Sequence, residues 1–166
     1  MWHRPAVTEF PRTLKRATLW LLLGVGVFLG VQLMQSREQR ARFSVASSGA
    51  IELQRAADGH FHWPGRLNGI AVDFLVDTGA TTTAIPQALA ERAGLELDGV
   101  VRSSTAGGMV QGRLARADLQ LQGGVRVERL RVTVLPQLDA PLLGMDVLSK
   151  MRFTQQQGVL RFEALP

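Results

Sequence analysis

The sequence predicts an all-β domain that carries one or two short helices and follows an N-terminal transmembrane helix. The first observation is a series of short apolar runs separated by turn dipeptides, as in strands joined by hairpins. The second is an uncharged apolar stretch near the N-terminus. The chain has 166 residues, of which 46% are hydrophobic, enough for one domain with its own core. The turn dipeptides are Asp58-Gly59, Asn68-Gly69, Gly107-Gly108 and Gly123-Gly124.

The apolar stretch runs from Thr18 to Met34, 17 residues without a charge, and basic residues stand on both sides of it. This length is at the lower end for a helix that spans a bilayer. A buried core helix is one alternative, but such a helix normally has a polar face. A cleaved signal peptide is another, but no small residues of a cleavage site follow the stretch directly. We therefore expect an uncleaved transmembrane helix over residues 18–34.

The positive charge of the chain lies before the domain. Seven basic residues stand against two acidic ones before Ser44, and twelve of each sign follow. A neutral domain without a recognition motif predicts no nucleic-acid partner. A small excess of basic residues before the apolar stretch favours residues 1–17 as a cytoplasmic basic tail. The domain would then face the periplasm of a bacterium, held by a single pass through the inner membrane.

Residues 35–50 are first charged and then small and polar, which is typical of a tether. The domain is expected over residues 51–166. Apolar alternation predicts a long strand over residues 125–135, with a bulge where the alternation slips between Glu128 and Leu130. The other strands are expected near residues 51–55, 60–67, 70–76, 82–85, 112–121 and 159–162.

Two short helices interrupt the strands. Pro86 is favourable in the first turn of a helix over residues 87–93, and Gly94 would end that helix. The second helix is expected over about residues 145–150, where Asp146 would serve as a helix-start residue.

An acidic residue, Asp77, directly follows the apolar strand Ile70 to Val76. A carboxylate at the end of a buried strand is held on a rigid frame, and a glycine two residues later permits a tight turn. Asp77 is therefore the candidate catalytic residue. A plain turn residue is the alternative, because Asp before Thr-Gly is common at strand ends. The complete motif is Asp77-Thr78-Gly79-Ala80.

This motif resembles the catalytic loop of the retroviral-type aspartic proteases, including bacterial membrane-anchored relatives. A second signature of that family, two apolar residues and a glycine that open a short helix, is matched by Leu142, Leu143 and Gly144. The resemblance covers about residues 51–162. It implies a small closed β-barrel of the retropepsin-like acid protease type. It also implies a peptide or protein substrate and no cofactor.

The resemblance implies a homodimer, because such proteases use two carboxylates and this chain has one Asp-Thr-Gly. Asp77 of each copy would activate water. Thr78, Gly79 and Ala80 would support the catalytic loop, with Thr78 bonding across the interface. Leu142, Leu143 and Gly144 would pack beneath it. Gly107, Gly108 and Met109 would belong to a mobile flap over the substrate, although an ordinary surface hairpin would look the same in sequence.

Other functions are compatible with part of the same pattern. An acid and a glycine after an apolar strand also occur in actin-like ATPases and some phosphatases, but those folds need more chain and several parallel strands. A non-enzymatic peptide-binding or dimerisation module on the same fold stays open.

The remaining polar residues give weaker indications. His60 and His62 share a strand face, but no third ligand is evident, so no metal site is expected. The chain lacks cysteine, which excludes disulfides, thiolate catalysis and cysteine-based zinc sites. Asp73 and Asp118 are expected to face solvent, and Trp63 to lie in the core or an interface.

Overall fold

The computed structural model describes residues 18–31, 43–46, 48–105 and 108–164. The chain divides into two units, residues 1–41 and 42–166. In the first unit, residues 18–31 form helix α1. Within the described part of the chain, no helix has the length and apolar character needed to cross a bilayer. Residues 32–34, the end of the predicted transmembrane helix, lie outside the described residues.

The second unit is built from strands with two short helices, and the prediction of an all-β domain is confirmed. The helices are α2 (Gln87–Arg92) and α3 (Met145–Leu148). The strands are β1 (Phe43–Val45), β2 (Ile51–Gln54), β3 (His62–Leu67), β4 (Ile70–Val76), β5 (Ala84–Pro86), β6 (Leu97–Thr105), β7 (Gly108–Leu121), β8 (Arg126–Leu135), β9 (Leu142–Leu143), β10 (Met151–Gln156) and β11 (Val159–Ala164).

The strands form two sheets. One has four strands in the order β1-β2-β11-β10, and the other has seven in the order β3-β4-β9-β5-β8-β7-β6. In the larger sheet β3 also pairs with β7, so pairings connect β3, β4, β9, β5, β8 and β7 in a ring. Closure of the strands into a small barrel stays a prediction, which this additional pairing supports.

The turns follow the dipeptides that predicted them. Asn68 and Gly69 have φ values of 46° and 81°, as a tight hairpin turn between β3 and β4 requires.

The predicted slip in β8 is a bulge. Glu128 and Arg129 both lie opposite Asp118 of β7, and Arg129 has a φ of 49°. The Arg129 N–H donates to the Asp118 carboxylate at 2.8 Å, which anchors the bulge.

Four strands were not predicted: β1, β6, β9 and β10. β1 lies inside residues 35–50, predicted as a tether, and pairs with β2 from Phe43↔Leu53 to Val45↔Ile51. Phe43 packs against the core, which explains why this segment joins the sheet.

Trp63 is the largest fully buried side chain. Its ring centroid lies 4.5 Å from that of Phe162, and its indole N–H donates to the Gln122 carbonyl at 2.9 Å. The indole therefore joins the two sheets and satisfies its polar group as it does so. Its predicted place in the core is confirmed.

Candidate active site

Asp77 stands at the end of β4, where the chain leaves the sheet. β4 pairs in parallel with β9, Leu75 with Leu142 and Val76 with Leu143. The Asp77 N–H donates to the Leu143 carbonyl at 3.0 Å. The two motifs found in the sequence are therefore hydrogen-bonded neighbours in the fold.

The carboxylate of Asp77 is fixed by its own loop. Its Oδ1 atom accepts the Gly79 N–H at 2.9 Å, and its backbone carbonyl accepts the Ala80 N–H at 3.2 Å. Asp77 is half-buried, and Thr78 and Gly79 are exposed. The loop thus holds one carboxylate oxygen in place and leaves Asp77 partly exposed.

The loop continues into a buried polar network centred on Thr83, a fully buried residue. The Asp146 carboxylate accepts two hydrogen bonds from Thr83, one from its N–H at 2.9 Å and one from its hydroxyl at 2.8 Å. The Thr83 hydroxyl oxygen in turn accepts the Gly144 N–H at 3.2 Å. Asp146 lies in the first turn of α3. Its role extends beyond the predicted start of a helix, because it ties α3 to the chain that follows Asp77.

The start of α3 also bonds to the loop through its backbone. The Met145 and Asp146 N–H groups donate to the carbonyls of Ala80 and Thr81 at 2.8 and 3.2 Å. An α-helix has no internal partner for the N–H groups of its first turn, and here the carbonyls of the loop accept two of them.

Gly144 makes this close approach possible. A Cβ at this position would lie 2.5 Å from the Thr82 carbonyl carbon and 2.7 Å from its oxygen. No side chain fits there without moving the backbone of the loop. The second motif therefore has a packing reason for its glycine.

A two-stranded ribbon is formed by β6 and β7. β7 pairs with β6 from Gly108 to Gly112 before it meets β8 at Arg113. On these two strands Val100 and Met109 are 59% and 67% exposed. Gly107, part of the predicted flap, lies outside the described residues.

A cavity of about 570 Å³ lies between the ribbon and the chain that follows β8. Its walls are largely apolar, and no residue of the Asp77 loop is among those that line it. It is lined by Met109, Val110, Gln111, Leu135, Pro136, Gln137 and Leu138.

Near the start of β3, His62 lies between two carboxylates. Its Nε2 atom is 2.8 Å from Asp58, and its Nδ1 atom is 3.3 Å from Asp73. Asp73 is half-buried beside His62, so its prediction as a solvent-facing residue is only partly correct. A hydrogen bond from the His60 N–H and one from His62 lower the pKa of Asp58. Across the described residues, no cluster of three potential metal ligands is present.

The model of the gag-polyprotein putative aspartyl protease family matches residues 63–150, more than half of the chain. The chain belongs to this family. Both sequence motifs, and the hydrogen bonds that join them, lie within the matched residues. The predicted relation to the retroviral-type aspartic proteases is confirmed.

Two curated relatives and one solved structure add detail. An uncharacterised protein of a Sinorhizobium species is 33% identical over 129 residues, which cover 71% of this chain and 54% of the relative. An uncharacterised protein of Rickettsia prowazekii (strain Madrid E) is 30% identical over 108 residues, 63% of this chain and 46% of the relative. The chain therefore spans about half the length of the curated relatives it matches.

The solved structure is a retropepsin-like aspartic protease from Rickettsia conorii. It aligns with a TM-score of 0.56 and 23% identity over 69% of this chain and 90% of the other. This similarity shows that the two proteins share the retropepsin-like fold.

The part that Thr83 and Asp146 play could not be predicted from the sequence. They are 63 positions apart, and neither stands in a local pattern that would reveal the other. One indication was present: Asp146 stands two residues after Gly144 of the second motif, where an acidic residue in the first turn of a helix is unremarkable by itself. Only the fold shows that its carboxylate points back to the loop.

Proposed function

We propose that this chain is an aspartic endopeptidase that hydrolyses peptide bonds as a homodimer, with Asp77 of each copy in one shared site. The observation that carries the proposal is the anchored carboxylate of Asp77. Asp77 directly follows β4 of the larger sheet, and its carboxylate accepts the Gly79 N–H. Its own N–H makes the hydrogen bond that joins the two family motifs. Membership of an aspartyl protease family supports the same activity.

The chemistry needs a second carboxylate. Two carboxylates about 3 Å apart share one proton, because like charges that close cannot both ionise. The ionised one takes a proton from water, whose oxygen attacks the peptide carbonyl carbon. The protonated one donates to the carbonyl oxygen. A proton then passes to the amide nitrogen, the C–N bond breaks, and a carboxyl and an amino terminus are released.

The surrounding residues take supporting roles in this proposal. Thr78 is exposed at the tip of the loop, where it can bond to the second copy. Gly79 and Ala80 hold the turn, while Leu142, Leu143 and Gly144 support it from below. The ribbon that bears Gly108 and Met109 acts as the flap, and the cavity beneath it receives the peptide.

A membrane anchor is part of the proposal. Residues 18–34 would hold the enzyme in the inner membrane with its catalytic domain in the periplasm, and confinement to a surface favours dimerisation. The supporting observation is the uncharged apolar stretch in the sequence. Extraction of cell membranes with alkaline carbonate tests this part: an anchored chain stays with the lipid, and a chain released into the wash contradicts the anchor.

Cleavage of an unbiased peptide library by the full chain tests the enzymatic proposal. We expect cleavage by the wild type and none above background by Asp77→Asn. A matched control is Asp98→Asn, which changes an exposed aspartate on β6, outside the loop, and should cleave normally. Equal cleavage by wild type and Asp77→Asn would refute the proposal. Peptide binding without cleavage by the wild type would favour the non-enzymatic module instead.

A further inference from the structure

Exposed arginines gather on the outer side of the larger sheet. Along β7, from Arg116 to Gln120, exposed residues alternate with buried ones, so the exposed side chains face away from the core. The register places Arg131 of β8 directly opposite Arg116, and Arg126 of β8 opposite Gln120. Arg66 of β3 pairs with Gln120 from the other side. With an arginine of the bulge beside them, they form a surface that we call the basic face: Arg66, Arg116, Arg126, Arg129 and Arg131.

Ion pairs do not neutralise the charge of the basic face. Among the described residues, no carboxylate lies within ion-pair distance of any of its arginines. The Arg66 guanidinium donates to the Gly69 carbonyl, which carries no charge. Arg116 and Arg131 stand directly opposite each other, and like charges in that arrangement destabilise a sheet. An anionic partner bound between them would remove this repulsion.

Acidic residues accompany and bound the basic face. Asp118 and Glu128 are exposed beside its arginines, and the Asp118 carboxylate already accepts the Arg129 N–H. Five arginines against these two acids give 5 − 2 = +3, whereas the domain as a whole carries as many acidic as basic residues. Glu96 and Asp98 lie toward β6 and limit the face on that side. A neutral domain thus has a local excess of positive charge on the outer side of β3, β7 and β8.

We propose that the basic face docks on a phospholipid surface by binding the phosphate groups of anionic lipids. A guanidinium group can donate two parallel hydrogen bonds to one phosphate, and it stays charged at physiological pH. Arginines spread over three strands match a surface that presents many phosphates better than they match one small anion. The choice of a lipid rests on the membrane anchor of the proposed function, whereas the basic face itself does not depend on it.

The place where the chain enters the domain favours a lipid over an acidic protein as the partner. In the sequence, residues 35–42 are all that separates the apolar stretch from β1. Phe43 of β1 lies against the turn between β7 and β8, since a Cβ on Gly123 would come within 3.3 Å of the Phe43 ring. That turn joins the two strands that carry four of the five arginines. An anchored chain would therefore lead directly to the hairpin that bears the basic face.

Fluorescence energy transfer to labelled lipid tests the docking in the full chain. The protein contains no cysteine, so Gln122→Cys, an exposed position directly after β7, takes a single donor dye. The chain is reconstituted in vesicles of phosphatidylcholine, with or without anionic phosphatidylglycerol, whose headgroups carry an acceptor dye. We expect energy transfer to rise when phosphatidylglycerol is present. The rise should disappear at high salt, which screens exposed charges.

A pair of double variants shows whether these particular arginines are responsible. Arg116→Gln with Arg131→Gln removes two charges of the basic face. Each arginine near an anionic membrane strengthens binding about fivefold, so the ratio of docked to undocked domain should fall on the order of 25-fold. The matched control is Arg92→Gln with Arg102→Gln, two exposed arginines outside the face, which leaves the same net charge and should keep the rise. Far-UV circular dichroism checks that both variants fold.

The inference is overturned if energy transfer is equal in neutral and anionic vesicles, or if the two double variants lose the rise equally. It is also overturned if polyglutamate binds the wild type through these arginines and anionic vesicles do not, because that result points to an acidic protein as the partner.

Failure of the proposed function gives different results. A chain that alkaline carbonate washes from membranes, yet shows the rise when it is added to anionic vesicles, refutes the anchor and supports the basic face. An anchored chain without the rise refutes the basic face alone. A chain that docks on anionic vesicles but cleaves no peptide refutes the protease and supports the docking.

Discussion

The bond between Asp146 and Thr83 should decide whether the catalytic loop keeps its shape. Asp146→Ala removes an acceptor of two hydrogen bonds, at 2.9 and 2.8 Å. It leaves a fully buried N–H and hydroxyl of Thr83 without that partner. Hydrogen bonds to a charged group contribute about 1.5–3 kcal/mol each. Because Asp146 is half-buried, water can replace part of the loss. We therefore expect the free energy of unfolding to fall by about 2–4 kcal/mol.

Asp146→Asn should behave differently. Its amide oxygen can accept the Thr83 N–H, and its amino group can donate to the Thr83 hydroxyl oxygen. The geometry is kept while the charge is lost, so a fall of about 1 kcal/mol is expected. Peptide cleavage should fail in Asp146→Ala and largely survive in Asp146→Asn.

Urea unfolding of the full chain, followed by circular dichroism, measures these differences. Asp139→Ala is the control, since Asp139 is exposed, and its loss should change stability by less than about 0.5 kcal/mol. If Asp146→Ala unfolds at the same urea concentration as wild type, Asp146 does not hold the loop and its assigned role is wrong.

Three further predictions concern other parts of the fold. Gly144→Ala should lower the free energy of unfolding by at least about 2 kcal/mol, because the Cβ of the alanine would lie 2.5 Å from the Thr82 carbonyl carbon. Unchanged urea unfolding would contradict this packing. Trp63→Phe should cost about 1–3 kcal/mol through the lost bond to Gln122 and the lost ring area; a thermal midpoint equal to wild type would count against the indole as a link between sheets. The pKa of Asp58 is lowered in the fold by hydrogen bonds from the His60 N–H and from His62. The ionised Asp58 carboxylate therefore stabilises the fold above the ordinary aspartate pKa of about 3.9, and this stabilisation is lost as the pH falls below that value. Asp58→Asn should remove that acid-side loss from a stability profile measured between neutral pH and pH 3, and a variant with the wild-type profile would refute the assignment.

The strands that sequence analysis found are those with strong local patterns. β4 was predicted with its observed bounds, because an apolar run stands between an Asn-Gly turn and Asp77. The bulge in β8 was visible as a slip in the alternation of apolar residues. In these segments the local pattern and the tertiary packing favour the same structure.

The missed strands have no such pattern. β10 is largely polar, because it lies at a sheet edge and buries little. β6 carries serines, a threonine and the bulged Gly99, and its pairing with β7 sets its structure. β9 has two residues, too few for any periodicity. For such strands the partner determines the structure, and a single sequence does not show the partner.

The candidate site shows the same division. The motif that begins at Asp77 and the second motif could be identified because each is a short run of residues whose glycine has a physical reason. The bond between Thr83 and Asp146 could not, since it joins residues 63 positions apart. Long-range polar contacts leave no periodic trace in the chain. They follow from the fold, once β4, β9 and α3 are in place.

Mixing wild-type chains with Asp77→Asn chains, followed by exchange of subunits, tests the shared site most directly. If every active site needs Asp77 from both copies, cleavage should fall as the square of the wild-type fraction, to about one quarter when the two are mixed equally. If each chain cleaves by itself, cleavage should fall in direct proportion, to about one half. A proportional decrease, in mixtures whose subunits have demonstrably exchanged, would contradict the shared site.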